Sequence, residues 1–536
     1  MTSIRDSIVS HTPPNKRFAG WFSEAVWGHR LQAQSGWATV LEFMGMAEGM
    51  MAMGNDSLLK PTLPTQNASY SAPVSKELRI LLFHNPRMVQ IRDDRQGDEE
   101  TMWSEWLQDI NGRTGDEAIE FNYLKDSHPH FDLLVGKIEL IRKLALDAGK
   151  SSKFTNRLLF PIGPAALYEP GDLKFDRDRT IFTRTGEIAY LMLTRASKNL
   201  REELRSLLER FLSESTSRNK LIRSLLPPGK PVRGGVKGAT FLPYEEHPAF
   251  NRLAEDLIQI LRLDLPHQDA LEHIRFLLPF HLYLYGIETS AAWAGREGSQ
   301  FFICEIPGPK MDVVRRASIG NRDENEALGV EGMRHYVSKM LDGDARVVQI
   351  LDPNFRPDVE EKDRASELAT ELQRLFFLID NQTADLKKLG TRDEVRAAIN
   401  AEAAKAYRSG TLSALESLGR EAGLIDSRGT NKKRYAPTDH LIRALVFANL
   451  PDDSPVEESD FLALLKNRYG LVFGPREAIA TIHEHNPQHY DEADYGRNRT
   501  RLSRRLVGLG LGNSMSDSCT YVVNPLGIST DHAVSA

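Results

Sequence analysis

Apolar residues recur every three or four positions over much of this chain, and that spacing commits it to packed helices. Residues 197–212 (SKNLREELRSLLERFL) show the pattern plainly, with Ser197 placed to cap the first turn. Residues 248–263 and 269–285 repeat it, and residues 356–426 are patterned as helix almost throughout. Gly390-Thr391 and Gly410-Thr411 read as a helix end followed by a new N-cap. Strands are read in smaller number: residues 78–83 (LRILLF), 158–162 (LLFPI), 180–182, 299–306 (SQFFICEI) and 519–523 (CTYVV). The expected class is therefore mainly α with α/β parts.

The longest strongly apolar run, residues 276–286 (FLLPFHLYLYG), has about half the roughly 20 residues a membrane span requires. It reads as a buried helix or strand, and no membrane partner is expected. Cys304 and Cys519 stand far apart, which fits a reducing compartment better than a disulfide framework. No positively charged, then apolar leader opens the sequence, so the expected location is cytoplasmic.

At 536 residues the chain is long enough for several cores, and a multidomain organisation is expected. Residues 1–60 form a segment rich in Trp (Trp21, Trp27, Trp37) and Met (Met44, Met46, Met50, Met51, Met53). Such side chains suit a docking surface as well as a core. Residues 54–76 read as a loop or linker. A mixed α/β domain is expected over 77–225. Residues 226–239 (LPPGKPVRGGVKGA) form the strongest break, because Pro and Gly disfavour element interiors. An α/β middle domain over 240–350, a helical region over 356–426 and a C-terminal module over 427–527 complete the division.

That last module is the most informative. Helices are expected over 440–449, 456–469, 476–483 and 497–509, with a turn and a terminal strand after them. The order suits a winged helix, whose last helix enters a DNA groove. The helix at 497–509 carries Arg497, Arg499, Arg501, Arg504 and Arg505 and no acid. Positions 497, 501, 504 and 505 lie near one face, and the arginine fork suits phosphate and guanine edges. Lys432, Lys433 and Arg434 add a basic connector. The expected DNA-contacting set is these eight residues, and the expected partner is double-stranded DNA. The whole chain carries 68 Lys and Arg against 74 Asp and Glu, a net charge of −6, which excludes a uniformly basic coat. Even residues 428–512 hold 13 basic and 11 acidic residues, so any positive field is local.

No catalytic set, cofactor site or metal site is read. The glycines at 229–238 lack the strand–loop–helix context of a phosphate-binding loop. His483, His485 and His489, followed by Asp491, Glu492 and Asp494, have metal-ligand chemistry, but Asn486-Pro487 breaks the helix that would align them. Glu305, Lys310 and Asp312 do not share a strand face as a nuclease centre would require. His247, His273 and His281 sit among apolar residues and read as core histidines.

Two pairs of stretches carry a family likeness: residues 247–257 (HPAFNRLAEDL) with 278–285 (LPFHLYLY), and residues 434–441 (RYAPTDHL) with 521–525 (YVVNP). They resemble non-catalytic accessory proteins of bacterial antiphage islands, such as methylation-associated defence systems. The resemblance spans about half the chain. It implies antiviral defence as the setting, with modification, ATPase and nuclease subunits of the same system as partners. It transfers no catalytic residue. Three readings follow: a DNA-sensing accessory subunit, an interaction scaffold without DNA binding, and a metal-dependent nuclease using Glu305 or the histidine cluster.

Overall fold

A computed structural model describes residues 4–9, 24–28, 31, 33–54, 56–64, 66–73, 77–83, 85–113, 120–144, 184–213, 217–229, 233–237, 240–263, 265–296, 300–308, 312–352, 354, 364–376, 391–428, 432–483, 487–515 and 519–527. The architecture is mainly helical. The first helices are α1 (Gly36–Ala52), α2 (Glu77–Phe83), α3 (Met88–Asp94), α4 (Glu99–Arg113), α5 (Tyr123–Ser127) and α6 (Phe131–Leu144). Next come α7 (Thr185–Thr194), α8 (Lys198–Phe211), α9 (Ser217–Arg223), α10 (Pro248–Arg262), α11 (His267–Trp293) and α12 (Val313–Gly343). The remainder are α13 (Ala345–Ile350), α14 (Arg364–Phe376), α15 (Arg392–Ser409), α16 (Thr411–Glu421), α17 (Asp439–Asn449), α18 (Glu458–Tyr469), α19 (Pro475–Ala478) and α20 (Glu492–Gly508). Strands are short: β1 (Ser69–Pro73), β2 (Arg233–Lys237), β3 (Phe302–Ile303), β4 (Ile425–Asp426), β5 (Arg434–Tyr435), β6 (Val456–Glu457), β7 (Leu471–Val472), β8 (Gly512–Ser514) and β9 (Thr520–Val522).

The main core is built around α11, which is buried over most of its 27 residues and packs against α1, α10, α12, α16 and α17. Its interior holds Pro279, which has no N–H to offer the carbonyl four residues earlier. Gly286 is needed at the crossing with α16, because a Cβ there would lie 2.3 Å from a methyl carbon of Leu415. The same core takes in residues from α1, α7, α8, α10 and α14–α18 and from α20, so one apolar interior runs from Ala25 to Val522. Trp27 and Trp37 lie inside it, as do Met44 and Met46, while Met53 is exposed. These two tryptophans therefore spend their area on the fold itself rather than on a docking surface. Trp21 lies outside the described residues.

A second apolar cluster joins α2–α6 to α9, around Trp103, Trp106, Phe131 and Ile222. Here the sequence expectation is corrected. The short apolar run 78–83 favours a strand, yet Glu77–Phe83 is a helix. Leu78, Leu81 and Leu82 are all buried, a three- and four-residue spacing that puts them on one helix face. Arg142 stabilises its end by donating to the Leu82 carbonyl at 2.6 Å and the Leu81 carbonyl at 3.3 Å. The strand candidates at 158–162 and 180–182 lie outside the described residues.

Two expected loops also turn out to be paired. Residues 69–73, within the presumed linker, form an antiparallel ladder with 233–237, within the Pro/Gly-rich break. Arg233 holds the ladder to α1 through an ion pair with Glu48. Backbone pairing explains how a glycine-rich stretch without apolar alternation can still be a strand.

Candidate nucleic-acid interface

Residues 439–522 supply α17, β6, α18, α20, β8 and β9 in that order. β6, β9 and β8 form an antiparallel three-stranded sheet in which β9 is central. A connector containing β7, α19 and a π-helical turn at Ile479–His483 separates α18 from α20. α20 is capped by Asp491, whose side chain accepts from the Asp494 N–H at 2.7 Å. Glu492 and Asp494 in its first turn suit the positive end of the helix dipole.

One face of α20 is turned inward. Tyr495, Asn498, Leu502 and Leu506 are buried at spacings of three and four. Asn498 uses its whole amide: Nδ2 donates to the carbonyls of Cys304 and Phe473, both at 2.9 Å, and Oδ1 accepts from the Ile306 N–H at 2.7 Å. Asp494 accepts from the Val313 N–H at 2.8 Å. β3 pairs in parallel with β7 beside these contacts.

The five arginines of this helix divide. Arg501 donates to Asp312 at 3.0 Å and to the Ile306 carbonyl at 3.3 Å. Arg499 donates to Glu458 at 3.0 Å, and Arg505 pairs with Asp439 and reaches the Pro437 carbonyl at 2.9 Å. These three are half-buried and hold α20 to its neighbours. Arg497 pairs with Asp494 one turn back on its own helix but leaves 60% of its side chain exposed. Arg504 is exposed and makes no ion pair among the described residues. Thr500 and Val507 are exposed with them, so Arg497, Thr500, Arg504 and Val507 form a solvent stripe at intervals of three and four.

The basic connector departs from expectation. Arg434 is only 2% exposed, and its guanidinium pairs with the fully buried carboxylate of Glu305. Arg315 binds the other oxygen of Glu305 at 2.7 Å. A buried carboxylate requires such partners, so Arg434 is committed to the interior and cannot reach a phosphate. The same clamp occupies both oxygens of Glu305. Lys433 pairs with Glu416 on α16, and Lys432 is exposed. Asp312 caps α12 by accepting from the Arg315 N–H at 3.0 Å, while Lys310 lies outside the described residues.

A second polar seam ties α18 to the body. Asp256 on α10 accepts from Tyr469 at 2.7 Å, lies 2.7 Å from Nε2 of His281, and pairs with Arg468. Burial pushes the His281 imidazole below its ordinary range, against the pull of the neighbouring Asp256. The acid at 256 falls on the apolar face of its helix, three residues after Leu253, and that misplaced charge is the signal that would have found the seam. Asn498 gives no such signal, since it sits between arginines in a polar run.

His247 caps α10 by accepting from the Ala249 N–H at 3.0 Å, and the His273 ring lies edge-on to Phe447. His485 and the side chain of His483 lie outside the described residues. Among the described residues no group of three His, Cys, Asp or Glu could hold a metal. No described helix is long and apolar enough to cross a membrane. Family models, curated proteins and solved structures were compared with the chain, and none matches.

Proposed function

We propose that this chain is a non-catalytic accessory subunit that contacts double-stranded DNA through a winged-helix-like module at residues 427–527. The observation that carries the reading is the solvent stripe of α20, two arginines and a threonine on the helix that leads into strands β8 and β9 of a three-stranded antiparallel sheet. In a winged helix that position faces the groove, and the sheet's hairpin flanks it. Arg497 and Arg504 are the contacting cations. Arg499, Arg501 and Arg505 set the orientation of the helix from behind. The bacterial antiphage setting, with other defence subunits as partners, rests on the resemblance of residues 247–285 and 434–525.

The test is duplex binding by fluorescence anisotropy across a salt series. Arg497→Ala with Arg504→Ala is expected to weaken binding and to flatten the log–log salt slope by about 2, near 0.9 per phosphate contact. An unchanged affinity and slope would sink the reading.

The second reading, a protein-interaction scaffold, draws on Leu133 and Leu140, which are 51% and 47% exposed and seven residues apart on α6. Leu133→Glu with Leu140→Glu should then remove partners from a native pull-down while duplex binding stays as it was. No nuclease step is proposed through Glu305, because its carboxylate is held between two guanidinium groups.

A further inference from the structure

Away from the α20 stripe, a cleft of about 490 Å³ opens where the N-terminal segment, α10, the end of α11 and the end of α18 meet. Four guanidinium groups line it, those of Arg5, Arg252, Arg296 and Arg468, and Glu288 is the one carboxylate among its described lining residues. The volume lies in the range of small-ligand sites.

The pairing of these cations leaves donors for a ligand. Arg252 is committed to the protein: Glu288 accepts from it at 2.8 and 2.9 Å and the Arg468 carbonyl at 3.0 Å, so the donors left for a ligand belong to the other three. Arg468 is held from behind by Asp256 and by Glu255 at 2.9 Å. Arg296 lies 3.5 Å from Glu331, and both are largely exposed, so that pair is weak. Arg5 rests over the Trp293 ring, 5.4 Å from its centre, and makes no ion pair among the described residues. The ring holds the guanidinium in place without cancelling its charge. Gln300 and Asn467 add neutral amides at the cleft. Several guanidinium forks around one cleft favour a ligand with more than one negative centre over a single carboxylate.

We infer that this cleft binds a diphosphate group, free or carried by a nucleotide, gripped by Arg5 and Arg296, with Arg468 as the third cation of the lining. Arg is suited to it because its planar fork donates two parallel bonds to phosphate oxygens. A ligand bridging the N-terminal segment and the end of α11 to α18 also stabilises the fold by mass action.

The test is calorimetric titration of the full chain with pyrophosphate and, separately, with ADP at low salt. Saturable binding of pyrophosphate is expected, with a rise in unfolding temperature. Arg5→Ala with Arg296→Ala should weaken it about tenfold or more, and Arg296→Glu alone, at an exposed position, should weaken it without disturbing the fold. Tighter binding of ADP points to a nucleotide, and equal or weaker binding to the bare diphosphate. Arg497→Ala with Arg504→Ala should leave pyrophosphate binding intact, which separates this site from the DNA stripe. Absence of saturable heat, equal binding by the Arg5/Arg296 variant, or loss of binding in the Arg497/Arg504 variant overturns the inference.

Discussion

Arg501 and Arg504 stand one turn apart on α20, and their surroundings differ in kind. Arg501 is half-buried, bonded to Asp312 and to a backbone carbonyl of the segment before α12. Arg504 faces water and makes no ion pair among the described residues. The same side chain is thus a strut on one face and an available cation on the other. A count of arginines along a helix overstates its positive field whenever the fold supplies the counter-charges from elsewhere. Here Asp312, Glu458 and Asp439 do so for three of the five.

The largest effect on the inward side should come from Glu305→Ala. It would leave Arg315 and Arg434 buried without a counter-charge, at a cost of about 3–5 kcal/mol. Urea unfolding of the full chain measures this, and a loss below about 1 kcal/mol would mean that the clamp is not what holds the seam. Asn498→Ala strands two carbonyls and one N–H, and should cost about 3 kcal/mol at the 1–3 kcal/mol scale of a lost buried partner. Arg501→Ala should cost about 1 kcal/mol, and a double-mutant cycle with Asp312→Ala should recover most of that as coupling. At the small end, Arg497→Ala with Arg504→Ala should change stability by no more than about 0.5 kcal/mol. If the outward pair proved as costly as Arg501, the two faces would not differ as described.

The helices were legible wherever a single amphipathic stripe decides the structure. Residues 198–211, 248–262 and 392–409 are helices as their periodicity implies, and Thr391 forms a full capping box with Glu394. Residues 77–83 resist such a reading, because a short, mostly apolar run broken only by Arg79 suits a strand and a buried helix equally, and Arg142 bonds to its end from about sixty residues away. β2 was hidden for a related reason: its partner, not its composition, makes it a strand. On α20 the residue types and the helix could be read. The division of its arginines could not, since the acids that claim three of them lie 41 to 189 residues away in sequence. Arg434 was misplaced on the same ground, its partner Glu305 being 129 residues distant.

The parallel pairing of Phe302–Ile303 with Leu471–Val472 bears on how this chain reaches its final form. One strand of that pair is made long before the other. Until Leu471 and Val472 emerge, Phe302 and Ile303 have no ladder partner, and the Cys304 and Ile306 backbone groups wait for Asn498. The C-terminal hundred residues therefore close the structure behind them, and this late closure is built from long-range contacts that form slowly. Excised at residue 427, they would carry Arg434 and Asn498 away from the groups that satisfy both. A truncation that spares every arginine of α20 would still be expected to lose the helix that presents them.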